Sequence, residues 1–302
     1  MKNNYHESVL VDKAIEGLHI KNAANYIDAT LGNGGHALAI LNQKGCVLGI
    51  DLDSKMIEIS ERRLNEAYPV MNQSVHGRHF KLVNGNFTEI DKIAKEQKWL
   101  PVSGILFDLG VSNIHLKDLE RGFSFENPEA PLDMRINTET QAVKASDLLN
   151  VLREDQLRNL FEVTLDPGAA KWISNRVIFS RSQKPIKNVG DLIEICTGLK
   201  TGKISLNSAT LPFLALRIAV NSELDNLIEV LPKAFDLLEK EGRLVVISFH
   251  SKEDEIVKNF MKDMSDLERG KQITFKPVTA QGQEINENRR SRSAKLRIIE
   301  KI

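Results

Sequence analysis

The chain has 302 residues, enough for one large or two ordinary domains. Lysine plus arginine and aspartate plus glutamate number 41 each, so the formal charge is zero, which excludes a strongly basic polyanion wrapper and an acidic-tail protein. Two cysteines, Cys46 and Cys196, exclude a disulfide scaffold, and no apolar run approaches the roughly 18 residues of a membrane span. A cytoplasmic protein without a membrane partner is therefore expected, and residues 1–6 carry no apolar stretch of the signal-peptide kind.

In chain order, residues 25–30 read as a buried strand, 32–35 as a glycine turn and 36–42 as a helix. Residues 46–51 form a second strand. Asp53 or Ser54 caps a helix over 56–67, whose apolar face holds Met56, Ile57, Leu64 and Ala67, with Ser60 as the polar exception. Residues 80–83 and 104–108 are the third and fourth strands. Apolar strands without alternation, separated by helices, predict an α/β fold with a mostly parallel sheet covered on both faces. Residues 112–205 hold no strong strand. Loops rich in Phe, Pro and Gly lead into helices over 147–152, 156–163, 169–179 and 189–197. This predicts a helical insertion over 112–205 within a discontinuous domain of 1–111 and 206–302. Pro212 suits a first helical position. Helices then run through residue 238, interrupted at Pro232 and ended by Gly242. Residues 243–249 are a fifth strand, and Ser251 with Asp254 has the pattern of a capping box for a helix over 252–264. Residues 273–276 and 294–299 suit a closing antiparallel pair.

The turn after the first strand carries the first chemical signal. Gly32 and Gly34 permit a tight turn and close approach of a ligand, and Asp51 ends the second strand about 20 residues on, where a carboxylate accepts ribose hydroxyls. Two ligands fit. The run from Gly32 to Ala37 satisfies the dinucleotide pattern, which points to an NAD-dependent oxidoreductase. S-adenosylmethionine carries a ribose but no phosphate, and its sulfonium is cationic; Asp28 and Asp108, at the ends of the first and fourth strands, favour it. Asp108 leaves its strand where open α/β sheets place their chemistry. The loop beyond it holds Arg121, Phe123, Phe125 and Arg135, residue types that hold phosphate and stack bases, or equally pack a compact loop. His76 and His79 lack partners that would complete a metal site, so no metal is expected. His250 either faces the crevice or caps a helix. Trp172 reads as insertion core.

Six separated segments resemble the ribosomal small subunit methyltransferase H family: 6–10 (His-Glu-Ser-Val-Leu), 28–36, 108–135 with its Arg-Gly-Phe-Ser-Phe and Pro-Leu-Asp-Met-Arg runs, 216–224, 247–251 (Ile-Ser-Phe-His-Ser) and 290–297. They occur in the family's order over the whole chain. The resemblance implies a class I S-adenosylmethionine-dependent methyltransferase fold, Rossmann-like, with a helical insertion for substrate recognition. It implies methylation of the exocyclic N4 of a cytosine in the decoding centre of small-subunit rRNA, with that rRNA as partner. It implies cofactor contacts at Gly34, Gly35, His36, Asp51, Phe87, Asp108 and His115, the last standing where the family usually has Gln. Further departures fall at 165–169, at 209–217 and at 288–290, in segments that offer contact with RNA. On this reading Asp108 is the catalytic candidate, and Arg121, Phe123, Phe125 and Arg135 bind substrate. A non-catalytic RNA-associated assembly protein is the other reading, and a homodimer stays open.

The zero charge is an average. Residues 168–203 carry a net +5 and residues 286–302 a net +4, leaving −9 on the remainder. Solvated helix faces produce such runs by themselves, but beside the resemblance they become candidate phosphate contacts.

Overall fold

The computed structural model describes residues 8–68, 80–110, 118–200 and 207–302. They fall into two compact units, Met1–Gly110 with Leu224–Ile302, and Val111–Glu223.

The first unit is built on a sheet of β1 (Asn25–Asp28), β2 (Cys46–Asp51), β3 (Phe80–Asn84), β4 (Val102–Asp108), β5 (Leu238–Ser248), β6 (Gly270–Gln272) and β7 (Lys295–Lys301). The order among described residues is β3-β2-β1-β4-β5-β7-β6. The first five strands run parallel, and β7 lies antiparallel between β5 and β6. Strand order reverses between β1 and β4, so the crevice of this sheet opens at their C-terminal ends. Successive residues explain the apolar runs. Ile27, Leu48, Ile105, Phe107, Leu244 and Val246 enter one core, whereas Tyr26, Val47, Leu106, Val245 and Ile247 enter the other. With both faces covered, the central stretches of β1, β2, β4 and β5 are apolar on both sides. The helices α1 (Val11–Leu18), α2 (Gly35–Asn42) and α3 (Ser54–Ala67) contribute to the second core, and α4 (Ile90–Glu96) to the first.

Several boundaries differ from expectation. The helix Glu223–Leu237 runs straight through Pro232. Ile228, whose carbonyl loses its partner to that proline, is 56% exposed, so water can satisfy it. Gly242 does not end this helix; it lies inside β5, which begins at Leu238. The closing pair is β6 with β7, β6 lying a few residues before the expected 273–276 and β7 starting one residue after the expected 294, and the chain after β6 touches β7 again at Val278–Leu296. The helix Ser251–Asp266 is capped by His250 and Glu253, not by Ser251 and Asp254.

The second unit packs the helices Ala145–Val151, Glu154–Glu162, Pro167–Gln183, Val189–Cys196 and Thr210–Asn221 around their own core. It extends past residue 205 to Glu223, because Phe213, Ala215 and Leu216 bury in that core. Pro212 sits third in its helix, not first, at a position whose N–H has no helical partner in any case. Asn221 ties the end of this helix to the 134–141 loop, accepting from Ile136 N at 2.9 Å and donating to Met134 O at 2.9 Å. No helix among the described residues is long and apolar enough to cross a membrane.

Candidate active site at the strand ends

The turn between β1 and α2 is braced from several sides. Gly32 N donates to Asp51 Oδ2 at 2.8 Å, and Ser60 Oγ donates to Gly32 O at 2.7 Å. Arg63 Nη1 donates to Asn33 O and Oδ1 at 3.1 and 3.0 Å. Ser60, the polar residue on the apolar face of α3, is thereby explained. Gly34 has φ 75°, the left-handed region. A Cβ on Gly35 would lie 2.1 Å from Ser8 Oγ, so the N-terminal segment seats directly on the turn. A serine before an apolar pair carries no local signal of this seat in the sequence.

Asp51 is oriented by two backbone donors, Gly32 N and Asp53 N at 2.9 Å on its other oxygen. Asp53 caps α3 by accepting from Lys55 N.

Asp28 and Asp108 stand at the ends of β1 and β4. Asp28 is fully buried, and among the described residues its Oδ2 has no partner; Asp108 Oδ1 is likewise buried and unpartnered among them. Burial pushes the Asp28 carboxyl up to about 6, with His36 opposing and Asp108 assisting. Burial pushes Asp108 up to about 7, with Arg290 opposing and Glu253 assisting. His36 lies between them in effect. Its Nε2 donates to Val9 O at 3.0 Å, so the ring proton sits on Nε2 and Nδ1 is the bare acceptor. Nδ1 lies 3.7 Å from Asp108 Oδ2, and burial lowers the imidazole below its ordinary value, keeping it neutral. Two unpartnered carboxyl oxygens in one buried cluster suit a cationic ligand group. They repel a pyrophosphate, and the turn's first N–H is already committed to Asp51.

Phe87 follows β3 on a short 3-10 helix, Phe87–Glu89, with Asn86 capping it. Its ring meets Phe107 edge-on at 5.8 Å and is half-buried, leaving apolar surface beside the strand ends. At the end of β5, His250 Nδ1 accepts from Glu253 N, while Glu253 Oε2 accepts from Phe249 N at 2.8 Å. His250 is thus the helix cap of the two readings left open. Arg290 lies over the Phe249 ring at 5.5 Å.

The four residues of the insertion loop find partners within the helical unit. Arg121 Nη2 donates to Arg135 O and Ile136 O, each at 2.6 Å. Arg135 grips Asp133 through Nε and Nη2, both at 2.7 Å. Phe123 is buried under Arg121, and Phe125 packs edge-on against Phe213 at 4.5 Å. Arg121 and Arg135 thus brace the loop, and Phe125 anchors it to the helix Thr210–Asn221. His115, His76 and His79 lie outside the described residues.

A family model described as the MraW methylase family matches residues 3–302. A ribosomal RNA small subunit methyltransferase H from Methylacidiphilum infernorum is 40% identical, over 98% of this chain and 94% of that protein. One of the same description from Dictyoglomus thermophilum is 37% identical, over 98% and 96%. Among solved structures, an rRNA methylase from Streptococcus thermophilus aligns at 13% identity over 97% of this chain and 93% of that one, with a TM-score of 0.44.

Proposed function

The chain belongs to the MraW methylase family, a small-subunit rRNA methyltransferase lineage, and from that premise we propose that it methylates the exocyclic N4 of a cytosine in the decoding centre. Its cofactor is S-adenosylmethionine, and its fold is the class I methyltransferase sheet with β7 reversed. The observation that carries the cofactor reading is the pair of buried oxygens without a partner among the described residues, Asp28 Oδ2 and Asp108 Oδ1. A cofactor with a cationic end supplies what they lack; NAD brings two phosphate charges instead. Asp51 would hold the ribose, Phe87 the adenine, and Gly34, Gly35 and His36 the backbone edge of the turn.

When bound, S-adenosylmethionine supplies an electrophilic methyl group. The nitrogen it must reach is a poor nucleophile, because the N4 lone pair is conjugated with the ring. An acceptor for an N4 hydrogen pulls that nitrogen toward tetrahedral geometry, and positioning the reactants at ~3 Å contributes several kcal/mol more. Asp108 is the acceptor in this reading, and His36 Nδ1 is the bare base behind it. Arg121, Phe123, Phe125 and Arg135 enter as the frame of the substrate loop. Stacking of an extruded base on Phe123 would require that ring to leave its core.

The deciding experiment incubates the protein with tritiated S-adenosylmethionine and undermodified small ribosomal subunits, then identifies the labelled nucleoside by mass spectrometry. N4-methylcytidine in small-subunit rRNA is the expected product, and Asp108→Asn should lose nearly all of it. Label on another atom overturns the N4 assignment. Normal cofactor binding with no label on any RNA returns the assembly-protein reading.

A further inference from the structure

The C-terminal run 286–302 has six basic residues, and the structure divides them. Arg297 is buried against Asp254, with Nε to Oδ1 at 2.6 Å and Nη2 to Oδ2 at 3.2 Å. Lys295 Nζ joins the same carboxylate at 3.1 Å. Lys301 Nζ donates to the carbonyls of Asp236 and Leu238 at 2.8 and 2.6 Å. Arg290 covers Phe249, and its charge acts on Asp108. Arg289 and Arg292 remain. Both are exposed, and neither guanidinium has a partner among the described residues.

Their placement is not that of two scattered surface charges. They stand three apart on the 3-10 helix Arg289–Ser293, a geometry in which side chains at that spacing eclipse one another. With Ile285 and Asn286 they line a cleft of about 450 Å³. The helix is itself pinned. Asn288 is buried and caps it by accepting from Arg290 N, and Ser291 is buried and donates to Asn288 O at 2.7 Å. Two planar forks on a fixed turn, a side-chain amide beside them and an apolar wall match a phosphodiester with its sugar. The residue between them in sequence, Arg290, is turned toward the β5 end and Asp108.

We propose that Arg289 and Arg292 form a phosphate clamp that grips the RNA backbone next to the target nucleotide. The clamp rests on the rRNA methyltransferase reading and sharpens it. Of the six cations only these two are free to bind backbone, and the turn that carries them also reaches the reacting strand ends. A phosphate held there fixes the register of the strand relative to Asp108 without reading sequence.

The test compares wild type with Arg289→Gln plus Arg292→Gln, measuring binding to undermodified small ribosomal subunits across a series of KCl concentrations. Loss of two phosphate contacts should lower the salt slope of log affinity by about 1.4 to 1.8. KM for the subunits should rise while kcat and S-adenosylhomocysteine affinity hold. The control is Lys252→Gln plus Lys262→Gln, two exposed lysines paired only along their own helix, with Glu255 and Asp266. An unchanged slope in the arginine variant, or an equal change in the control, overturns the clamp. A wild-type protein that labels no rRNA removes the underlying reading instead, and the two failures are distinct.

Discussion

At the scale of single residues, the carboxyls of Asp28 and Asp108 decide how the site behaves with pH. Raised to about 6 and about 7, both are protonated in part near neutrality when no ligand is bound. A cationic ligand group binds the ionised forms, so it pulls protons off as it binds. Affinity for S-adenosylmethionine should therefore fall as pH drops, by about twentyfold between pH 8 and pH 6, about tenfold from the carboxyl at about 7 and about twofold from the one at about 6. Asp108→Asn should flatten most of that dependence, since the amide does not titrate. Calorimetry at several pH values checks this, and a flat wild-type profile would sink it. Asp51 and the glycine turn were legible in the sequence because strand, turn and acidic residue lie close together along the chain. The neutral tautomer of His36 was not, because it depends on Val9 O, 27 residues away.

At the scale of elements, the start of the helix Ser251–Asp266 shows what local patterns miss. Both Glu253 and Asp254 are near the cap, and the sequence favours the shorter acid three residues after a serine. The structure commits Asp254 to Arg297 on β7, and Glu253 reaches back to Phe249 N and His250 N instead. Burial works to raise the Asp254 carboxyl, but hydrogen bonds from Arg297 and Lys295 outweigh it and hold it below the ordinary range. Its contribution is thus present above the unfolded value, near 4, and is lost as pH falls below it. Asp254→Asn leaves a buried guanidinium without its carboxylate and should cost about 3 to 5 kcal/mol in urea unfolding. Replacing both partners by apolar residues, as in Asp254→Leu with Arg297→Met, should recover most of that loss. A single variant as stable as wild type would contradict the buried pair.

At the scale of the whole molecule, each unit carries its own core and its own tryptophan. Trp99 is buried in the sheet unit and donates to Tyr26 O at 3.0 Å, whereas Trp172 packs on the helical core. Trp99→Phe and Trp172→Phe single-tryptophan proteins therefore report the units separately. Their urea midpoints should differ, and Asp254→Asn should move only the Trp99 signal, because its ion pair lies in the sheet unit. Coincident transitions in both proteins would show a single cooperative unit. The boundary of the helical unit was the part of this organisation least visible in sequence. The helix Thr210–Asn221 is apolar along most of its length, so its sequence does not say which core it joins, and only Phe213, Ala215 and Leu216 in the core show that it belongs with the insertion.

The sequence alone determined the parallel sheet, the glycine turn, the acidic strand ends and the interruption by helices. These follow from backbone periodicity and turn chemistry, which act over a few residues. It also placed the basic runs and the loop of Phe and Arg, but not what they do. That was decided by partners far apart along the chain: Arg297 with Asp254, Phe125 with Phe213, Asn221 with the 134–141 loop. A charge or an aromatic ring offers the same chemistry to an internal partner as to RNA. Only the folded chain, which brings those partners into contact, shows which capacity is spent inside and that Arg289 and Arg292 keep theirs.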